Sequence, residues 1–422
     1  MIDIALIRNS PEAVKEAMRT RNEPDNIIDE ILKLDTMRRE NLRENELLRE
    51  QRNILSKEIP NEKDAAQRTE KVNAVKKGKE RINELEIQLR EIEPELNKLL
   101  SSVPNMPGDK TPVGLTEEDN KIISEHGTKR NFDFAPKPHW DIDICTKQID
   151  FERGVKLSGS RFYILRSRIA RLQRALITYL LDRHIQAGYE ELNVPYILRG
   201  GAVFASGQLP KFADNLYHDA EEDYWLIPTA EVPVTSFHSG EILDESQLTL
   251  NYTSYTPCFR REKTSSGKDV RGIKRGHQFD KVELYKFAHP DKSEEEHEKM
   301  LRHVTSIGEE LGIPYRIKLL CTADIGFSAR MTYDVEFWAP GCNEWLEVSS
   351  VSNCGDFQAR RAAIRYKDPV TDTNKLVHTL NGSAFGIPRT MIAIMENYQQ
   401  ADGSILVPDC LKPYVGASVI TA

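Results

Sequence analysis

From Asp25 to Leu100 the chain contains no tryptophan, phenylalanine or tyrosine, and it is densely charged. Such a segment has little with which to build a globular core. What it has is a repeat. Val75, Ile82, Leu89 and Leu96 recur every seven residues, and Leu85, Ile92 and Leu99 form a second row three residues further on. These are the a and d positions of a coiled coil, which buries a narrow apolar stripe on an otherwise charged helix. Upstream, Ile27, Leu34, Leu48 and Leu55 keep the same step, with polar Asn41 in the row. Between the two runs lies IPNEKD (59–64), where Pro60 and Asn61 break the helix. The pattern predicts two long helices joined by a short turn, an antiparallel hairpin. Each helix would span about 45 Å if ~30 residues rise 1.5 Å apiece. Pro94 falls inside the second helix and predicts a kink there.

Charge on this hairpin is uneven. Between Gln51 and Arg81 nine basic residues face five acidic ones, so the tip is locally positive. The whole chain has 58 basic and 66 acidic residues, a formal net charge of -8, which excludes a generally basic coat for nucleic acid but not a local patch. The tip is therefore either a solvated helix surface or a grip on a polyanion, and both readings stay open at this point.

SSVPNMPGDKTPVG (101–114) is rich in proline, glycine and serine and reads as part of a linker. The expected division is a helical-arm domain over 1–103, a linker over 104–120 and a second domain over 121–422. Beyond the linker, aromatics, glycines and strand-like runs such as DYWLIPTAEVPV and NEWLEVSSVS take over. A long amphipathic helix is expected over about 161–186, with Leu165, Ile169, Leu172, Leu176, Tyr179 and Leu180 on its apolar side and Gly188 suited to its C-terminal cap. No run of 18 apolar residues exists, so no membrane span is expected. The first twenty residues lack the pattern of a secretory signal. Six cysteines stand without a CxxC pair, which suggests reduced thiols and a cytoplasmic location, with no zinc site.

Three segments carry chemistry. TPCFRREK and HQFDKVELYKF alternate as strands around SSGKDVRGIKRG, whose glycines and basic charge suit a mobile hairpin loop. Arg260 and Glu262 lie two apart on one strand; Phe279, Lys281 and Glu283 share a face of its partner. Arginines can fork onto phosphate oxygens and an aromatic ring can stack on a base, so a nucleotide would suit this face, as would a plain salt-bridged surface hairpin. In NGSAFGIPRTMIAIMENYQ (381–399), Pro388 can open a helix and place Arg389 in its first turn, where an anion is favoured. EWLEVSSVSNC (344–354) alternates, with Trp345, Glu347 and Ser349 on one side; a carboxylate followed by hydroxyls suits Mg²⁺, and equally a polar strand edge. No GxxxxGK[ST] or GxGxxG occurs, nor HExxH or GxSxG, so P-loop, Rossmann, zinc-protease and hydrolase-elbow chemistry have no support.

Together these segments resemble the class II aminoacyl-tRNA synthetases, and within them the seryl-tRNA synthetases. The resemblance runs over nearly the whole chain: IRNSPEAVKEA, the hairpin, GSRFYIL with GYEELNVPYIL, SGQLPKF, IPTAEVPVTS, FRRE with RGHQFDKVELYKF, and GSAFGIPR, in the family's order. It implies an α+β chain, in which a long antiparallel helical hairpin precedes a catalytic domain built on a mostly antiparallel sheet flanked by helices. It implies an ATP- and Mg²⁺-dependent enzyme that activates L-serine and transfers it to tRNA(Ser), and to the selenocysteine tRNA wherever one exists. The hairpin would be the tRNA-binding arm and the enzyme a homodimer. The alternative is a serine-activating relative that serves a non-tRNA acceptor.

The resemblance also assigns roles by position. Arg260, Glu262 and Arg389 would be the catalytic set. ATP would be held by Arg260, Arg261, Glu262, Arg275, Gly276, Phe279, Glu347, Val348, Ser349, Ser350 and Arg389, with Arg260 on the α-phosphate, Glu262 on the adenine amino group, Phe279 stacked on the base and Arg389 on the γ-phosphate. Serine would be held by Thr229, Ala230, Glu231, Arg260, Glu283, Asn381 and Ser383, and Mg²⁺ by Glu347 and Ser350.

Overall fold

The computed structural model describes residues 1–263 and 271–421, in two compact units: residues 2–104, and Met1 with the chain from Asn105 onward. In the first unit, α1 (Ile4–Asn9) and α2 (Pro11–Thr20) precede α3 (Ile27–Glu58) and α4 (Ala65–Ser102), helices of 32 and 38 residues. A short 3₁₀ turn over Ile59–Asn61 separates the two long helices. The Asp64 carboxylate then caps α4 by accepting from the backbone N–H groups of Ala66 (2.8 Å) and Gln67 (3.2 Å).

The heptad rows form the seam. Ile82, Leu85, Ile92 and Leu96 are buried, and Val75, Leu89 and Leu99 are half-buried. On α3 the second row is Ile31, Arg38, Asn45 and Arg52, mostly polar, which is why the repeat looks looser there. Long arginine stems can cover apolar surface while their heads stay wet. Arg38 reaches Glu93 at 3.0 Å, Arg49 reaches Glu86 at 2.7 Å and Arg81 reaches Glu44 at 2.7 Å, tying α3 to α4 with exposed pairs each worth little. The helix continues past the exposed Pro94 to Ser102. At the tip, Lys71 is engaged by Glu58 and Glu62, whereas Lys76, Lys77 and Lys79 are exposed.

The second unit is organised on a sheet of eight strands: β1 (Lys121–His126), β2 (Glu190–Glu191), β3 (Leu250–Phe259), β4 (Gln278–Ala288), β5 (Tyr315–Leu319), β6 (Met331–Ala339), β7 (Glu344–Gly355) and β8 (His378–Gly386). Their order is β1-β5-β6-β7-β8-β4-β3-β2, antiparallel throughout except for the β2–β3 pair. Three helices, α5 (Ser167–Gln186), α6 (Ser293–Leu311) and α7 (Ile387–Tyr398), pack their apolar sides against it in one large core. Alternation along β4 sends Val282 and Leu284 into that core and leaves Phe279, Lys281 and Glu283 on the opposite face.

One expectation is corrected. The helix expected from 161 starts at Ser167, because Ile164 and Leu165 pair as a short strand with Ile149 and Asp150; Gly188, with φ +89°, does follow the helix end. The stretch expected to be a linker is fastened to the second unit. Asn105 donates from its side chain to the carbonyls of Ser328 (2.9 Å) and Cys354 (2.8 Å), and Gly108 N–H and the Thr111 hydroxyl both donate to the Arg330 carbonyl. Its prolines and glycines serve an extended path along a surface, a composition shared with a free tether. Of the mobile loop expected over SSGKDVRGIKRG (265–276), residues 265–270 lie outside the described residues. All six cysteines are unpaired thiols, and no described helix is long and apolar enough to cross a membrane.

Candidate active site

The free face of the sheet carries a cavity of about 530 Å³ whose wall joins β4, β7 and β8 to the start of α7 and to the residues that follow β3. One end is cationic. Arg260 follows β3; its Nε donates to the Pro228 carbonyl (3.2 Å) and its guanidinium lies 5.0 Å from the Phe279 ring centre. Arg275 lies 3.7 Å from Glu262, a residue held at φ +46° whose carbonyl accepts from Arg161. A Cβ on Gly276 would come within 2.9 Å of the Gln278 carbonyl, so only glycine fits there without a shift.

Arg389 stands in the first turn of α7, one position deeper than expected, because Ile387 and not Pro388 is the first helical residue. One of its nitrogens lies 3.2 Å from the Glu347 carboxylate and donates to the Glu347 carbonyl at 2.8 Å. The Arg389 guanidinium, with Arg260 and Arg275 nearby, holds Glu347 below the usual carboxylate range.

The other end is acidic and amide-rich. Thr229 donates to Glu283 (2.7 Å) and accepts from Lys281 (2.7 Å), and Lys281 also pairs directly with Glu283. Glu231 accepts from Gln358 (2.6 Å) and Asn381 (3.2 Å). Burial, with Glu283 nearby, pushes the Glu231 carboxyl up to about 7. Gln358 is itself fixed: its carbonyl accepts from Tyr285 and Thr379, and its amide also donates to the Ser206 carbonyl.

Strict alternation along β7 fails at Val348, where the register against β6 slips by one residue. This β-bulge reverses the side-chain parity, so Glu347 and Ser350 both face the cavity although they are three apart. Ser349, expected on the Glu347 side, turns inward and donates to the Ser383 carbonyl.

Of the residues singled out in the sequence, Thr229, Glu231, Arg260, Glu262, Arg275, Gly276, Phe279, Glu283, Glu347, Val348, Ser350, Asn381, Ser383 and Arg389 line this one cavity. Three do not. Ser349 is turned away by the bulge, Ala230 is wholly buried ahead of the short helix Glu231–Ser236, and Arg261 lies beyond the end of β3 with its guanidinium 5.7 Å from the Tyr217 ring. Lys281 and Gln358 went unassigned. Alternation places Lys281 on the face of Phe279 and Glu283, but gives it no role. Gln358 comes from a separate helix, Phe357–Ala362, and no local pattern signals it.

An arginine-rich end suited to phosphates and an acidic, hydrogen-bonding end suited to a small ammonium-bearing molecule thus share one cavity. Residues 1–107 match the family described as Seryl-tRNA synthetase N-terminal domain, and residues 212–398 match tRNA synthetase class II core domain (G, H, P, S and T). A curated relative from Roseiflexus castenholzii, Serine--tRNA ligase, is 52% identical over 100% of this chain and 99% of its own. Among solved structures, seryl-tRNA synthetase from Pyrococcus horikoshii complexed with ATP superposes with a TM-score of 0.95 at 39% identity, covering 100% and 99% of the two chains. Cytoplasmic serine-tRNA ligase from Naegleria fowleri in complex with AMP gives 0.87 at 28%, with the same coverage.

Proposed function

The chain belongs to the seryl-tRNA synthetase family of class II aminoacyl-tRNA synthetases, and from that membership we propose that its cavity activates L-serine with ATP and passes it to tRNA(Ser). The observation that carries the proposal is the polarity of the single cavity, with Arg260, Arg275 and Arg389 at one end and Thr229, Glu231, Glu283, Asn381 and Ser383 at the other.

In the first half-reaction a serine carboxylate oxygen attacks the α-phosphorus, the new O–P bond forms and pyrophosphate leaves. Both reactants are anions, so the enzyme's work is positioning and charge neutralisation, with no side-chain nucleophile. Arg260, at the cationic end but within electrostatic reach of Glu231, serves both the α-phosphate and the serine carboxylate. Arg275 and Arg389 take the outer phosphates. Phe279 stacks on adenine, Gly276 leaves space for it, and Glu262 accepts from its amino group.

Glu347 and Ser350 form an all-oxygen pair on the cavity wall, and Arg389 keeps Glu347 ionised, a donor set that fits magnesium. Bound there, magnesium would supply further neutralisation of phosphate charge.

Serine's ammonium and hydroxyl are read by Glu231, Glu283, Thr229, Asn381 and Ser383. Alanine would leave such groups unpaired, and rejection by that route can reach about 10⁴- to 10⁵-fold. In the second half-reaction a ribose hydroxyl of the tRNA terminus attacks the seryl carbonyl carbon and AMP leaves. The basic tip of the α3–α4 hairpin supports tRNA, rather than a carrier protein, as acceptor. A homodimer belongs to the same proposal. In its support, β1 is an edge strand with Ile122 and Ile123 about half exposed, and sedimentation equilibrium tests it.

The proposal is tested by pyrophosphate exchange into ATP with a panel of amino acids. Exchange with serine and not with alanine or threonine is expected; equal exchange with alanine would refute the assignment of the acidic end.

A further inference from the structure

Beside the cavity, two segments, at His139 and Cys342, converge on one buried carboxylate, and a third packs on the His139 ring. Glu396, on α7, and His139 have fully buried side chains. Glu396 Oε1 accepts from the His139 backbone N–H at 2.9 Å and contacts its ring Nδ1 at 3.1 Å. The same carboxylate accepts from the Cys342 thiol (3.0 Å) and, through Oε2, from the Cys342 backbone N–H (2.9 Å). A carboxylate so placed makes Nδ1 the protonated nitrogen, which leaves Nε2 a bare acceptor. That acceptor is used: the Ile273 backbone N–H donates to Nε2 at 3.2 Å. Gly272, at φ +72°, packs so closely that a Cβ there would lie 2.0 Å from the same nitrogen. The residues that follow directly, Lys274, Arg275 and Gly276, line the cavity.

We propose that His139 is a positioning residue for the nucleotide end of the site. Glu396 fixes the imidazole's tautomer and orientation, the imidazole fixes the Ile273 amide, and the fixed amide sets where Arg275 and its neighbours present themselves. The inference rests on the ATP-binding reading of that end. The ligand-type atoms of His139, Cys342 and Glu396 lie within 4.8 Å of one another, a spacing a metal could use. Here the proton on Nδ1 and the proton on the thiol both point at the carboxylate, so the cluster is complete as a hydrogen-bonded unit.

The test is pyrophosphate exchange by full-length His139→Asn and His139→Gln, assayed well below each variant's melting temperature. An asparagine amide sits near the Nδ1 position and keeps Glu396 but falls short of Ile273; a glutamine reaches the Nε2 position and can accept from it. The asparagine variant should raise the ATP KM by about 3- to 10-fold, the cost of one lost neutral hydrogen bond, while the serine KM stays put. The glutamine variant should recover most of the loss, which a merely structural role would not predict. Wild-type ATP KM in both variants, or equal impairment of both, overturns the proposal. If the asparagine variant does not fold, Gly272→Ala presses on the same nitrogen from the other side and must raise the ATP KM; an unchanged value overturns the proposal. Stoichiometric zinc in the purified enzyme also overturns it, because the metal would occupy the Nδ1 lone pair. Absence of serine-dependent exchange in the wild type would instead refute the ATP-binding reading itself.

Discussion

Arg389 holds Glu347 at two points: one guanidinium nitrogen lies 3.2 Å from the carboxylate and 2.8 Å from the carbonyl of the same residue. The two residues come from different elements, a helix start and a strand, so the pair locks the phosphate-facing cation to the proposed magnesium ligand. Arg389→Ala should therefore cripple adenylate formation without altering the fold. Losing a charge-assisted contact of this kind costs about 1.5–3 kcal/mol, or roughly 10- to 150-fold in rate. Exchange kinetics at saturating serine and sub-saturating ATP measure it; an unchanged rate would remove Arg389 from the site.

The bulge at Val348 separates two adjacent serines by role. Ser350 faces the cavity, and Ser349 is spent on the Ser383 carbonyl. Ser350→Ala should raise the magnesium concentration needed for half-maximal exchange by about 10-fold or more. Ser349→Ala should leave it unchanged. A magnesium titration of both variants decides, and the reverse order would mean that the strand's parity has been misassigned.

Glu283 is bound by Thr229 and Lys281 on the serine side of the cavity. Glu283→Ala should raise the serine KM and weaken the rejection of alanine, while calorimetric ATP binding persists. Wild-type serine KM and wild-type discrimination would show that Glu283 does not contact serine.

Glu231 gives a pH signature. Its folded-state pKa of about 7 lies above the ordinary carboxylate value. Burial of the neutral acid therefore favours folding fully below about pH 4.5, and that contribution is lost as pH rises toward 7, by up to about 3 kcal/mol. Wild type should lose melting temperature over this range relative to Glu231→Gln. Function runs the other way: the ionised form attracts serine's ammonium, so the serine KM should fall as pH rises through about 7. A KM profile identical in Glu231→Gln would contradict this.

Legibility in the sequence followed the range of the interactions. The α3–α4 seam was readable because a heptad repeat is local, and Phe279 and Glu283 were readable because strand alternation is local; Arg260 and Glu262, expected on one strand, lie past its end at Phe259. Ser349 was misplaced because one extra residue at Val348, invisible in the residue types, inverts every side chain after it. Gln358 and His139 were missed because their partners lie far along the chain: Gln358 meets Glu231, 127 residues away, and His139 meets Glu396, 257 residues away. The attachment of 105–111 to the second unit was not legible, because proline and glycine mark an extended path whether or not it is anchored.

The tip of the hairpin offers a test of the arm. Neutralising Lys76, Lys77 and Lys79 together should leave pyrophosphate exchange intact and weaken tRNA binding, with a shallower dependence of affinity on salt, by a slope of up to about 2 to 3. An unchanged slope would mean that these lysines do not meet the RNA backbone.

The most direct measurement is charging itself: full-length enzyme, ATP, magnesium, labelled serine and a tRNA(Ser) transcript, with acid-precipitable serine followed over time. Serine should accumulate on the tRNA to near stoichiometry, only when ATP is present, and alanine should not replace it. Serine-dependent pyrophosphate exchange with no serine on the tRNA would contradict the account and place this chain among enzymes that deliver activated serine to another acceptor.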